Sequence, residues 1–220
     1  MSESGVPSIS ELQARLTPER LSRLRQAAEC RMAGLTVALE SLYDPGNRAA
    51  VYRSAEAFGL VDVHVINRDA GQKPGARLVS RGTEKWLNLI EHATTSDAIR
   101  AFRDRKLRVF GAAMHGSQSL WQLPFDAPAV LVFGNEHRGL SDEMLAACDQ
   151  VFHIPMYGLA ESLNISNAAA IAVAHARHAR EVALQARTDL SPDERDALFD
   201  DYVRRTARWI KPVAPMSETD

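Results

Sequence analysis

Four short stretches combine residue types that can do chemistry with turn-forming neighbours. They are DPGNRAAVYR (44–53), GAAMHGS (111–117), GNEHRGLS (134–141) and IPMYGLAESLNIS (154–166). The first offers the Asn47 amide at the start of a helix and the Arg53 guanidinium nearer its middle. A guanidinium is a planar fork of donors, suited to clamping a phosphate. The third places a carboxylate, Glu136, in a tight turn beside Gly134. The fourth places Ser162 and Asn164 just ahead of a long helix. Each stretch also has a purely structural use. Asn47 can cap its helix, Glu136 can pair with Arg138, and Ser162 and Asn164 can cap the helix that follows. Two other chemistries find no support. A GxGxxG loop is absent. His175 and His178 share a helix face, but no carboxylate or cysteine pattern accompanies them, so no metal site is expected.

These stretches sit where strands are expected to end. LTVALESLY (35–43), VDVHVI (61–66), WLNLIEH (86–92), LRVFGAAM (107–114), AVLVFG (129–134) and QVFHIPM (150–156) read as strands. Between them lie helical patterns: 47–60 with Gly59 as its stop, 97–105 capped by Ser96, a short helix from Ser141, and an Ala-rich helix over 164–187. Residues 69–83 read as loop. Thr17-Pro18-Glu19 opens an N-terminal helix on which Arg20, Arg23, Arg25 and Arg31 dominate the non-apolar faces. Ser191-Pro192-Asp193-Glu194 caps a last helix ending near Trp209. Residues 1–10 read as frayed. The alternation predicts an α/β fold, a parallel sheet with helices on both faces. Ligands of such sheets bind beyond the carboxyl ends of the strands, where the four stretches lie.

Composition narrows the class. The 220 residues are 45% hydrophobic and 25% charged, with Lys+Arg 26 against Asp+Glu 28. That balance suits a globular protein with a full core and excludes a polybasic binder, though not a local basic patch. The two cysteines, Cys30 and Cys148, are far apart. No disulfide framework and a reducing cytoplasm are expected. No apolar run approaches the roughly 20 residues of a membrane span, and no signal-peptide pattern opens the chain.

Taken together, NRAAVYRSAEAFG (47–59), LVFGNEHRGLS (131–141) and IPMYGLAESLNISNAAA (154–170) resemble, in order, the three motifs of the SpoU/TrmH branch of the SPOUT superfamily of RNA methyltransferases. The likeness extends to the basic first helix, to SRGTEKWLNL (80–89) and to the capped last helix. Gly46 stands where relatives often have His, and the first ten residues are extra; neither touches a motif position.

The resemblance implies a deep trefoil knot near the C-terminus, S-adenosylmethionine (SAM) bound in the knot cleft, and an obligate homodimer with its site at the interface. It implies a SAM-dependent 2′-O-methylation of a ribose in tRNA, at guanosine 18 of the D-loop. Two alternatives remain open: the same reaction on 23S rRNA, and a catalytically silent RNA-binding dimer. Arg53 matches the family's catalytic Arg, as base or as phosphate clamp; a free guanidinium with a pKa above about 12 favours the clamp. Asn47, Glu136, Ser162 and Asn164 match the polar motif positions. Backbone around Ala113, Met114, Gly134, Ile154 and Leu163 would frame the cofactor. The expected organisation is a basic tRNA-contacting helix in 1–34, the knotted domain in 35–187 and a helical extension in 188–220. Arg20, Arg23, Arg25, Arg204, Arg205 and Arg208 would form the tRNA surface.

Overall fold

The computed structural model describes residues 7–67 and 82–208. In chain order the elements are α1 (Ile9–Gln13), α2 (Pro18–Glu29), β1 (Leu35–Glu40), α3 (Pro45–Ala57), β2 (Asp62–Ile66), β3 (Asn88–His92), α4 (Thr95–Asp104), β4 (Arg108–Ala112), β5 (Gln118–Ser119), β6 (Ala129–Phe133), α5 (Asp142–Ala147), β7 (Gln150–His153), α6 (Ile165–Leu184) and α7 (Pro192–Ala207). They form two compact units, one spanning Arg31–Asp189 and the other made from the two chain ends.

In the larger unit every strand pair is parallel, and the sheet order is β3-β2-β1-β6-β4-β7-β5. β1 is central and all six of its residues are buried, because both faces of the sheet are covered. Leu35, Val37 and Leu39 face one cluster, which includes Val51, Tyr52 and Ala55 of α3 and Ala169, Ala172, Val173 and Ala176 of α6. Ala38 faces the opposite cluster, with Ala98, Ile99 and Phe102 of α4 and Met144 of α5. The small alanines of α6 let it lie close on α3 and the sheet. β1 pairs with its chain neighbour β2 on one side and with β6 on the other. The strand order therefore reverses between β1 and β6, and the loops leaving their carboxyl ends diverge there to leave a crevice.

The smaller unit packs α1 and α2 against α7. Arg25 sits 3.8 Å over the Phe199 ring and pairs with Asp196, while Arg195 reaches Glu29 at 2.7 Å. Its first helix departs from the frayed end expected over 1–10. Ser8 and Glu11 close a capping box, with the Ser8 amide donating to the Glu11 carboxylate at 2.7 Å, so the chain is helical from Ile9.

Several boundaries differ from expectation for local reasons. The first strand stops at Glu40, because Ser41 has φ 53 and turns the chain. Asp44, not Asn47, caps α3, so Asn47 is a first-turn residue. Thr94 rather than Ser96 caps α4 by accepting from the Asp97 amide at 3.1 Å. Trp86 belongs to a 3-10 turn (Glu84–Trp86), and β5 is a two-residue strand that periodicity could not reveal. Arg31 is only 3% exposed and bonds Glu56 at 2.7 Å, so it is no part of a basic helix face. Most of the expected 69–83 loop, the first six residues, and the expected helix end at Trp209 lie outside the described residues.

Candidate active site

The loops after β1 and β6 are joined by a row of hydrogen bonds across the crevice. After β6 the chain makes a tight turn, in which the Asn135 amide donates to the Gly139 carbonyl at 3.0 Å and the Gly139 amide returns to the Asn135 carbonyl at 2.8 Å. Inside the turn the Asn135 side-chain oxygen accepts from the amides of His137 (2.9 Å) and Arg138 (3.2 Å). Its side-chain NH2 crosses to the Ser41 carbonyl at 2.8 Å. The turn needs glycine twice. Gly139 has φ 66, and a Cβ on Gly134 would lie 2.2 Å from the Gly139 backbone.

This frame aims Glu136 at the start of α3. One carboxylate oxygen accepts from the Tyr43 amide at 3.0 Å. The other accepts from the Asp44 amide at 3.2 Å and from the Asn47 side-chain NH2 at 3.1 Å. Burial would raise the Glu136 carboxyl, but these donors outweigh it and hold it below the usual carboxylate range. Asn47 in turn accepts, through its side-chain oxygen, from the Asn164 NH2 at 3.0 Å. The Asn164 oxygen caps α6 by accepting from the Ser166 amide at 2.8 Å. Asn47, Glu136 and Asn164, from three separate stretches of sequence, thus form one chain of side chains beside the β1–β6 crevice. Asn164 is both a cap and a network member. Asn47 serves the network alone.

Arg53 and Ser162 are not in this chain. Both are exposed and make no hydrogen bond or ion pair among the described residues. Arg53 lies six residues beyond Asn47, which at 3.6 residues per turn sets the two about 120° apart around α3. Burial gives Arg53 no structural duty and leaves its guanidinium available.

The backbone positions expected to frame a cofactor fall at the ends of β4, β6 and β7. Ala113 spends its amide on the Phe152 carbonyl, and Gly134 is buried in its turn. Ile154 is half-buried against the core. Met114, Ile154 and Leu163 keep backbone groups that bond no other described residue. Around them Met114 (63%), Met156 (38%) and Leu163 (38%) expose large apolar side chains. Unused amides and carbonyls among uncovered apolar walls suit a ligand with a flat heterocycle and a thioether-like chain, so these residues fit SAM.

Of the six arginines expected to meet RNA, Arg23, Arg204 and Arg208 are exposed and carry no ion pair among the described residues. Arg25 is committed to Asp196 and Phe199, and Arg205 pairs with Asp201 at 2.6 Å. Arg20 is half-buried. Among the described residues no group of three or more His, Cys, Asp or Glu converges on a metal position, and no helix is long and apolar enough to cross a membrane. His175 instead packs edge-on against Trp121, with ring centroids 4.9 Å apart.

Sequence reading missed Asn135, which organises the turn, and the backbone amides of Tyr43 and Asp44. An Asn after a Gly at a strand end signals a turn, but not which loop its side chain will reach.

Residues 34–174 match the family model described as the SpoU rRNA Methylase family, and the chain belongs to that family. It is 31% identical over 191 residues to a tRNA (guanosine(18)-2′-O)-methyltransferase of Thermus thermophilus, covering 86% of this chain and 98% of that one. Its fold is similar to the crystal structure of a TrmH/SpoU tRNA modifying enzyme of A. aeolicus, with a TM-score of 0.75 and 26% identity over 88% of this chain and 98% of that chain. It also resembles the SpoU methyltransferase AviRb of Streptomyces viridochromogenes in complex with the cofactor AdoMet, with a TM-score of 0.59 and 27% identity over 67% of this chain and 57% of that chain.

Proposed function

We propose, with membership of the SpoU methylase family as the premise, that the chain transfers a methyl group from SAM to the ribose 2′-oxygen of guanosine 18 in tRNA. The observation that carries this reading is the Glu136–Asn47–Asn164 chain of hydrogen bonds, which draws together the three stretches the family shares. The relatives' activity and their near full-length coverage supply the substrate.

SAM, when bound, supplies a methyl group on a positive sulfur, so the leaving group needs little help. The burden on this chain is to place a weakly acidic ribose hydroxyl in line and to stabilise it as its proton leaves. Asn47 and Asn164 fix one wall of the pocket, and Glu136 holds the wall to the strand ends. Met114, Ile154 and Leu163 line the cofactor side. Arg53 clamps the phosphate next to the reactive ribose. A guanidinium keeps its proton, so its service is to stabilise negative charge and to orient the nucleotide.

The Glu136–Asn47–Asn164 chain holds a carboxylate and two amides and no cation, while Arg53 stands about 120° from Asn47 around α3. We therefore assign the functional state to a homodimer in which Arg53 of a second copy completes the pocket. Exposed apolar residues on α6, Ile171 (37%) and Val182 (61%), with Trp121 (49%), support a covered surface of that kind. The segment 154–164 must return from β7, across the ends of β4 and β6, to start α6 beside Asn47. That return supports a trefoil knot in the domain 35–187. Arg23, Arg204 and Arg208 on the helical extensions 1–34 and 188–220 supply tRNA contacts in the cytoplasm.

The deciding experiment incubates the protein with labelled SAM and bulk tRNA or rRNA and maps the product. A 2′-O-methylguanosine at position 18 of tRNA is the expected result. Label confined to rRNA would move the assignment to that substrate, and no label on either RNA would refute the enzyme reading.

A further inference from the structure

The row of hydrogen bonds that carries Glu136 is anchored at its far end by a buried carboxylate, Glu40. This is the last residue of β1, and it is 1% exposed. One of its oxygens accepts from the Thr95 hydroxyl at 2.7 Å and from the Ser141 hydroxyl at 2.6 Å. The other accepts from the Ser141 amide at 2.8 Å. A buried carboxylate is tolerated only when its acceptor sites are filled. Here three donors fill them, one from Thr95 at the start of α4 and two from Ser141, the cap of α5.

Ser141 is the residue through which Glu40 reaches the site. It ends the stretch that begins at Gly134, and its hydroxyl oxygen also caps α5 by accepting from the Met144 amide at 3.1 Å. Glu40 therefore grips the exit of the turn, while Asn135 ties its entry to the Ser41 carbonyl at 2.8 Å. The turn is held at both ends to consecutive residues of one strand terminus, with Glu136 between them. The β1–β6 ladder sets where the turn begins. A two-oxygen grip on one residue's amide and hydroxyl sets where it ends.

We propose that Glu40 is a positioning residue for the methyl transfer: through Ser141 it sets where Glu136, and so Asn47 and Asn164, stand relative to the reacting ribose. The proposal rests on the function assigned above. Its test compares Glu40→Gln with Thr95→Ala in the full-length protein. Glu40→Gln replaces an acceptor oxygen by an NH2 facing donors. Thr95→Ala also removes a bond to Glu40, but leaves both Ser141 bonds in place.

Two readouts are taken: the rate constants on tRNA well below either variant's melting point, and amide hydrogen exchange at Gly139 and Ser141. For Glu40→Gln, exchange at those two amides should quicken by about tenfold, the loss of one hydrogen bond's worth of protection. Its kcat should fall about 10- to 100-fold, as expected for displaced catalytic groups, with KM for tRNA within about twofold of normal. Thr95→Ala should keep near-normal kcat and turn protection. If Glu40→Gln leaves both readouts unchanged, the assignment is wrong. Equal losses in the two variants would reduce Glu40 to a general anchor for the helices and overturn it as well. Should Glu40→Gln fail to fold, Ser141→Ala takes its place, with the same expected loss in both readouts and the same refuting result. A wild-type protein that methylates no RNA would sink the functional reading instead, and the exchange measurement would still decide whether Glu40 holds the turn.

Discussion

Replacing Asn47 by alanine separates what the central hydrogen-bond chain does for stability from what it does for chemistry. The substitution removes the 3.1 Å bond to Glu136 and the 3.0 Å bond from Asn164. A hydrogen bond to a charged acceptor contributes about 1.5–3 kcal/mol and a neutral one about 0.5–1.5 kcal/mol. Asn47 is half-buried and Asn164 exposed, so the lower ends apply, and the loss at pH 7 should be about 2 kcal/mol. The loss should also depend on pH. The Glu136 carboxyl lies below its ordinary range because Asn47 and three backbone amides outweigh the opposing effect of burial. A carboxyl lowered on folding adds stability above its unfolded pKa, and that stability disappears as pH falls through the folded value. Asn47→Ala deletes the largest of the lowering contacts and leaves burial unopposed by it. The wild-type advantage should therefore be full above about pH 5 and should shrink toward the neutral-bond share, about 0.5 kcal/mol, as Glu136 protonates. Urea denaturation of both proteins at pH 7, 5 and 3.5 measures this directly. A stability difference that stays constant across that range would show that Glu136 is not held by Asn47 and would refute the reasoning. Methyl transfer at pH 7 should fall by at least about 100-fold, far more than a 2 kcal/mol loss of stability explains while the protein remains folded.

Arg53→Ala should abolish turnover by orders of magnitude while melting temperature and SAM affinity, read by calorimetry, stay within error, since the side chain bonds nothing among the described residues; Arg53→Lys should restore little, because a point charge does not replace the planar fork. Gly134→Ala should destabilise the protein by several kcal/mol in denaturation, because its Cβ would meet backbone at 2.2 Å; a normal melting curve would show that the turn can move. Neutralising Arg23, Arg204 and Arg208 together should raise KM for tRNA and flatten its dependence on salt without touching SAM affinity. By contrast, Arg25→Ala should lower stability through loss of the Phe199 and Asp196 contacts. His64, bonded to His92 at 2.8 Å, has its pKa lowered to about 3, first by burial and then by His92 and Arg105. The unfolded chain takes up that proton near pH 6.5, so stability should decline below that pH by up to about 1.4 kcal/mol per unit. His64→Leu should make that acid limb shallower, and an unchanged slope in urea titrations would place the pH dependence elsewhere.

How far the sequence reached depends on whether a feature is local. The alternation of apolar runs with Ala-rich or capped helical patterns was enough for the parallel sheet with two covered faces, because each strand and helix announces itself within a dozen residues. Caps were less secure. Asp44 and Thr94 took the roles expected of Asn47 and Ser96, since several adjacent residues can cap and only the path of the chain selects one. The two-residue β5 has too few positions for any period. Ser8 and Glu11 spell a capping box, but the small polar residues before them give the composition of a frayed end.

The site divides along the same line. Asn47, Glu136 and Asn164 were visible as motif residues, and the structure joins them, but no local pattern could say that Glu136 bonds Asn47 in preference to Arg138. That choice follows from strand order. β1 and β6 are separated by some ninety residues of sequence yet pair from Leu35↔Ala129 to Leu39↔Phe133, and only this register brings the Asn135 turn opposite Ser41 and Tyr43. Glu40 shows the same dependence. As the charged last letter of LTVALE it reads as a strand's polar end, a residue expected at the surface. It is buried because the crevice at the order reversal is roofed by the starts of α4 and α5, whose hydroxyls and amides receive it. A carboxylate in that position has no use for the strand that carries it, since β1 is already held by two parallel ladders. What it holds is the turn of the neighbouring strand, and with it the carboxylate that accepts from the Asn47 side chain.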